Sequence, residues 1–273
     1  MAEILKGAPV ASALTERLTS QAAELKVVPT LAIVRVGENP GDISYETGAT
    51  KRCEKIGIEV RKFNPDQSSV LSVIKEINED TNIHGCLVLR PLPDKNIERE
   101  ACELLAPEKD VDCMTSKSLA GVFIGEGSFA PCTAQACIEL LDFYGIELEG
   151  RNVAVVGRSL VIGKPVSMLL QRRNATVTMC HSKTKNLSEI CRASDIIIAA
   201  IGKANFIGSE FVAPGQVVID VGINMGLDGK LCGDVNFNEA EPIVKAITPV
   251  PAGVGAVTTA VLAKHVIEAA MLQ

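Results

Sequence analysis

Tryptophan is absent and aromatic residues make up only 3 % of the chain, whereas apolar residues as a whole reach 47 %. A core drawn from Val, Ile, Leu and Ala favours parallel sheets covered by helices over an all-β or aromatic-rich binding module, so the class is α/β. Basic residues are not in excess: 27 Lys and Arg against 33 Asp and Glu leave a net charge of −6. Phosphate backbones need dense Lys/Arg neutralisation, so no nucleic acid is expected as a partner. No apolar run has the length of a bilayer span, and no membrane partner is expected. The first residues carry Glu3 and Glu16 in an amphipathic pattern, not a basic stretch before an apolar run, so the protein is expected to be cytoplasmic. Only three histidines occur and the nine cysteines form no C-x-x-C pair. Hence no metal site is expected, and the cysteines read as reduced, mostly buried small hydrophobes.

What is present is an alternation of short apolar runs and helical patterns, over 273 residues that suffice for two modest domains. Leu31 to Val36, a helix through Lys51 and Glu54, Ile58 to Arg61, Ser69 to Glu79 and Cys86 to Leu89 read as β-α-β-α-β, whose crossovers imply a parallel sheet. The polar stretch Gly125 to Ser128 precedes Pro131-Cys132-Thr133, where Thr133 is expected to cap a helix running to about Tyr144. After Gly145 to Gly150 the alternation restarts. Strands are expected at Asn152–Val156, Thr176–Met179, Ile196–Ala200 and Val217–Val221, with helices at Lys164–Arg173 and Leu187–Ala193. Thr258–Leu272 reads as an amphipathic helix returning to the first domain.

Val153-Ala154-Val155-Val156 runs into Gly157-Arg158-Ser159 and on to Gly163-Lys164-Pro165 at the start of a helix. A strand ending in glycine and opening a helix presents backbone N–H groups and a positive dipole end to a pyrophosphate. The G-x-G-x-x-G spacing itself is missing: Ser159 stands at the second glycine and Gly163 falls one residue late, so an ordinary strand-turn-helix stays open. The next strand ends Cys180-His181-Ser182-Lys183-Thr184, without the carboxylate that NAD-preferring sites place there. Arg158, Ser182 and Thr184, with His181 beside them, are expected to hold a 2′-phosphate, which selects NADP; Lys183 and Lys185 read more simply as a solvated loop. Gly202 and Gly222-Ile223-Asn224 follow later strands, where the nicotinamide half is expected, or are plain tight turns. On the residues alone, another NADP enzyme of this architecture, such as a shikimate-type dehydrogenase, also stays open.

Gly37-Glu38-Asn39-Pro40, Tyr45, Pro91-Leu92-Pro93, Lys109-Asp110-Val111-Asp112, Pro131-Cys132-Thr133, Gly157-Arg158-Ser159, His181-Ser182-Lys183-Thr184, Asp220-Val221-Gly222-Ile223-Asn224 and Thr248-Pro249-Val250-Pro251 occur in one order. With them the chain closely resembles the methylenetetrahydrofolate dehydrogenase/cyclohydrolase family over essentially its whole length. The resemblance implies an N-terminal α/β folate domain (1–146, with a returning helix in 249–273) and a Rossmann-like, doubly wound NADP-binding domain (147–248). It further implies a folate cleft between the domains, a homodimer, and hydride transfer from 5,10-methylenetetrahydrofolate to NADP that leaves a methenyl cation. The folate nitrogens stabilise that cation, so positioning supplies most of the catalysis. Tyr45 would line the pterin pocket and Asp112 would accept hydrogen bonds from the ring; Leu89, Arg90, Pro251 and Gly253 would complete the substrate site. Without the family context Asp112 reads as a turn or cap carboxylate.

The resemblance also calls for a Lys four residues after the Tyr, on the same helix face, and a Gln before the Leu-Pro end of a strand. Here those positions are Ala49 and Leu89. Water attack on the methenyl carbon needs protons moved, a task for a polarised Lys, whereas hydride transfer does not. Lys51 lies roughly 200° around the helix from position 49 and should face away. Arg90 points opposite to Leu89 along a regular strand, unless the strand end before Pro91 turns it inward. Ala134 and Ala252 replace the expected Pro and Gly. The expectation is therefore a dehydrogenase with weak or absent cyclohydrolase activity; the alternatives are the full bifunctional enzyme using Arg90 or another cation, and a degenerate homologue that only binds.

Overall fold

The computed structural model describes residues 1–127, 129–226 and 229–273; Ser128, the end of the expected polar stretch, lies outside them. Along the chain run β1 (Glu3–Ile4), α1 (Gly7–Glu24), β2 (Thr30–Val34), α2 (Pro40–Ile56), β3 (Glu59–Phe63), α3 (Val70–Glu79), β4 (Gly85–Val88), α4 (Lys95–Leu104), α5 (Ser116–Ile124) and α6 (Cys132–Phe143). They continue with β5 (Asn152–Val156), α7 (Gly163–Arg172), β6 (Thr176–Cys180), α8 (Leu187–Arg192), β7 (Ile196–Ala199), β8 (Val217–Asp220), β9 (Asn224–Met225), β10 (Leu231–Cys232), α9 (Phe237–Ala240), β11 (Ala246–Ile247) and α10 (Thr258–Leu272). Contacts divide the chain into a unit of Ser12–Cys132 with Thr259–Gln273 and a unit of Met1–Ala11 with Thr133–Thr258. This division differs from the expected partition at 146/147 and 248/249: it groups Thr133–Thr258, and with them most of α6, together with Met1–Ala11. Thr133, expected as a helix cap, lies inside the first turn of α6.

In the first of these units a parallel sheet runs in the order β3-β2-β4. Strand β2, Thr-Leu-Ala-Ile-Val, is buried at every position because it is paired on both edges and packed on both faces. Val70, Ile74 and Ile77 of α3 recur at helical spacing and close one side of the core with Ala101, Leu105 and Met114. Lys109, only 5 % exposed, donates from Nζ to the carbonyls of Ile77 (2.7 Å), Asn78 (3.0 Å) and Asp80 (2.7 Å). These are carbonyls at and just past the C-terminal end of α3, where helical partners run out. Lys109→Met is expected to lower stability by roughly 2–4 kcal/mol by leaving them unpaired, a loss that chemical denaturation would measure. A parallel bridge from Cys86 to Asp110 lays the segment up to Asp112 along β4.

The second unit carries a six-stranded parallel sheet in the order β1-β11-β8-β7-β5-β6. Its inner strands are continuous apolar runs such as Ile196–Ala199, buried on both faces. The chain steps from β5 to β6 on one side and then crosses to β7 on the other, so the order reverses between β5 and β7. In open α/β sheets the crevice at the carboxyl ends of such strands is where ligands bind. The two-residue strands β1 and β11 extend the sheet, and β9 and β10 form a separate antiparallel pair. Among the described residues no helix is long and apolar enough to cross a membrane. All nine cysteines are free thiols, and burial pushes those of Cys53, Cys137 and Cys191 up to about 12.

Candidate active site

Gly157 ends β5 with φ +142°, a backbone conformation rarely open to L side chains. A Cβ there would stand 2.1 Å from the carbonyl oxygen of Ala200, just past β7. Gly163 opens α7, and its Cβ would stand 2.2 Å from the Gly157 oxygen and 2.8 Å from the Arg158 nitrogen. Two bare backbones thus fold against each other at the switch point, beside the N-terminus of α7. Ser159, at the position a second glycine would hold, accepts at Oγ from the N–H groups of Ile162 (3.1 Å) and Gly163 (3.4 Å) and shapes the helix entry. A cavity of about 280 Å³ opens here, lined by Gly157, Arg158, Ser159, His181 and Ser182. Lys203 and Phe206 line it too, the ammonium 5.5 Å from the ring centroid; the sequence did not single them out, since only the fold brings the loop after β7 alongside Gly157. Thr184, expected at the 2′-phosphate, is not among the lining residues. Its hydroxyl accepts from the His181 N–H at 2.8 Å, so it forms the turn that presents His181 and Ser182.

Gly222 and Ile223 line a second cavity of about 290 Å³ with Pro251 and Gly253. Two buried carboxylates build its surroundings: Asp220, which the sequence showed only as part of a motif, and Asp234, which sequence reasoning missed. Asp234, fully buried, accepts at Oδ2 from the N–H groups of Ile201 (2.5 Å) and Gly202 (3.0 Å) and at Oδ1 from Lys203 N–H (2.8 Å) and Asn224 Nδ2 (2.9 Å). Gly202 and Asn224 are therefore joined through one side chain. Asp220 accepts from the N–H groups of Gly222, Asp234 and Val235, and burial pushes its carboxyl up to about 6. The only sequence signal for Asp234 was its place in Gly233-Asp234-Val235, which gives no hint of its four donors.

Ala252 adopts φ +79° with its carbonyl accepting from Gly7 N–H at 2.8 Å. An L residue pays for that conformation while glycine does not, so Ala252→Gly is expected to raise stability by about 0.5–1 kcal/mol in thermal unfolding, after the added chain entropy of glycine is deducted.

In the three-stranded unit, Asn39 accepts from Gly41 and Asp42 N–H groups and caps α2, with Pro40 as its first residue. Tyr45 on that helix is half-buried, Ala49 is fully buried and Lys51 is exposed, so Lys51 does face away from the position of Ala49. Leu89 is buried and continues the ladder through its N–H to Val34 O at 2.9 Å. Arg90 is half-buried beside Asp112, Cys102 and Cys113; burial raises the pKa of all three, and the Arg90 guanidinium opposes that rise without reversing it. At Asp112 burial also prevails over the Cys132 N–H that donates to the carboxyl at 3.0 Å. Cys132 Sγ lies 3.8 Å from His265 Nδ1, but that nitrogen is also 2.9 Å from the carbonyl oxygen of Val111, which fixes its proton there. Burial pushes the Cys132 thiol well up, so the pair is packing and not a nucleophile with its base. Among the described residues no group of His, Cys, Asp and Glu could hold a metal.

Residues 5–112 match the model of the tetrahydrofolate dehydrogenase/cyclohydrolase catalytic domain, and residues 131–273 that of the corresponding NAD(P)-binding domain. The bifunctional protein FolD of Carboxydothermus hydrogenoformans is 51 % identical over 279 residues, covering 98 % of this chain and 97 % of that one. Among solved structures, the bifunctional FolD methylenetetrahydrofolate dehydrogenase/cyclohydrolase of Campylobacter jejuni superposes with a TM-score of 0.94 at 35 % identity, covering 100 % of this chain and 99 % of that one. The Trypanosoma brucei methylenetetrahydrofolate dehydrogenase-cyclohydrolase, complexed with NADP cofactor and inhibitor, does so with 0.92 at 32 % identity, covering 99 % and 98 %. Matched by both domain models and by relatives spanning nearly its whole length, this chain belongs to the tetrahydrofolate dehydrogenase/cyclohydrolase family.

Proposed function

We propose that this chain oxidises 5,10-methylenetetrahydrofolate to the methenyl form with NADP. The observation that carries the proposal is the side-chain-free approach of Gly157 and Gly163 at the N-terminus of α7, flanked by Arg158, His181 and Ser182 with no carboxylate at the end of β6. The backbone N–H groups there suit a pyrophosphate, and a cation with hydroxyls where an acidic residue would sit suits a 2′-phosphate. When bound, NADP supplies the acceptor for the hydride. Gly202, Gly222, Ile223 and Asn224 would surround its nicotinamide half, their loops held by Asp220 and Asp234. Tyr45, Leu89, Arg90, Asp112, Pro251 and Gly253 would bind the folate, Tyr45 packing on the pterin and Asp112 accepting from its N–H groups. In this assignment 1–146 and 249–273 serve the folate and 147–248 the NADP, in a cytoplasmic homodimer.

The Campylobacter jejuni enzyme carries cyclohydrolase in its name beside dehydrogenase, and the relatives at 51 % and 50 % identity are named bifunctional, which supports methenyl hydrolysis here more than a dehydrogenase acting alone. A dehydrogenase alone stays as the second reading, on the resemblance that sets a Lys and a Gln where this chain has Ala49 and Leu89, both of them buried and apolar. Following methenyltetrahydrofolate absorbance with and without the purified protein separates the two. Decay faster than in buffer, reduced by Arg90→Leu, supports hydrolysis assisted by Arg90. Decay at the buffer rate, with NADP reduction intact, supports the dehydrogenase alone.

A further inference from the structure

The inward face of α2 is formed by Glu46, Ala49, Cys53 and Ile56. Its first two turns, which carry Tyr45, thus bury a carboxylate where a helix ordinarily buries an apolar side chain. Glu46 is 6 % exposed, and a buried charge needs partners. Its Oε2 accepts from Arg35 Nε at 2.8 Å, and its Oε1 lies 3.2 Å from Lys62 Nζ. Arg35, 7 % exposed at the end of β2, has further partners. Its Nη1 donates to the carbonyl of Gly37 and to Glu38, and its Nη2 lies 2.9 Å from the side-chain oxygen of Asn64 when that amide is turned to donate to Phe63 O. One guanidinium therefore joins the end of β2, the turn before α2, the segment after β3, and the helix residue next to Tyr45. Burial pushes the Glu46 carboxyl up, and the hydrogen bonds from Arg35 and Lys62 outweigh it and hold the group below its usual range.

Buried ion pairs are poor stabilisers, since apolar residues of similar volume often do as well or better; what such a pair fixes is geometry, through directional bonds with few alternatives. We propose that Arg35 and Glu46 are positioning residues for the substrate site: the buried pair sets the rotation of the first two turns of α2 and so the direction of the Tyr45 ring. This rests on the assignment of Tyr45 to the folate, so its test has one arm that does not.

The chain has two tyrosines and no tryptophan, and Tyr144→Phe leaves Tyr45 as the only tyrosine emitter. In that background the expected result for Glu46→Gln is a rise of about twofold or more in acrylamide quenching of Tyr45. In the otherwise unaltered chain the same substitution is expected to raise the methylenetetrahydrofolate KM about tenfold, with the NADP KM unchanged within twofold. The double variant Arg35→Met/Glu46→Leu is expected to regain thermal stability without regaining either the folate KM or the wild-type quenching. If the apolar pair restores all three, the ion pair is only a stabiliser and the proposal is overturned; unchanged quenching in Glu46→Gln overturns it as well. A wild-type chain that does not turn over the folate refutes the proposed function instead, and the quenching arm still decides the positioning.

Discussion

Gly157→Ala is expected to weaken NADP binding by at least ~100-fold, about 2.7 kcal/mol, while the three-stranded unit keeps its fold. The added methyl would meet the Ala200 oxygen at 2.1 Å and its carbonyl carbon at 2.9 Å. Neither can withdraw cheaply, because the Ala200 N–H is bonded to Val156 O at 2.9 Å as part of the β5–β7 ladder. The loop must therefore move away from the N-terminus of α7, and the phosphate cradle moves with it. The change also places an L residue at φ +142°, so strain and collision have to be separated. Gly57→Ala does so: Gly57 closes α2 at φ +95° with nothing within 4 Å of its would-be Cβ. It should cost roughly 1–2 kcal/mol of stability through strain alone and leave NADP binding intact. Calorimetric titration with NADP reads the difference, and wild-type affinity in Gly157→Ala would mean that the dinucleotide binds elsewhere.

Asp234→Ala is expected to lower the stability of the six-stranded unit by roughly 3–5 kcal/mol, the sum of three backbone N–H groups and one amide losing a common acceptor, discounted for water that enters. Asparagine is no rescue. Each carboxylate oxygen accepts from two donors, so either orientation of an amide turns its NH₂ against two N–H groups. Both variants should release the Ile201–Lys203 loop and Asn224 together, which would appear as correlated loss of amide protection in hydrogen exchange. Loss confined to one of the two segments would show that Asp234 does not couple them.

The fold was legible wherever burial on both faces writes a continuous apolar run. Asn152–Val156 was expected as a strand and is one, and Thr258–Leu272 was expected as a helix with the bounds observed. Strands β1 and β11, two residues each, have no period to read; β11 pairs on the edge of β8 and β1 on the edge of β11. Gly157, Arg158, Ser159, His181 and Ser182 were expected together and do line one cavity, because a strand ending in glycine before a helix constrains the backbone locally. Thr184, expected beside them, is outside that lining and closes a turn with its hydroxyl, a use that sequence does not distinguish from ligand binding. Asp234 and the Arg35–Glu46 pair were invisible, and Asp220 entered only as part of a motif, for a shared reason: each is defined by partners from other segments, and a lone charged residue ordinarily reads as solvated.

The proposed oxidation is tested by mixing the purified protein with 5,10-methylenetetrahydrofolate and NADP and recording reduced cofactor at about 340 nm, with methenyl product corrected for separately. Reduction that requires both substrates and disappears in Gly157→Ala is the expected result. No reduction with NADP or with NAD, under conditions where the protein is folded, would contradict it.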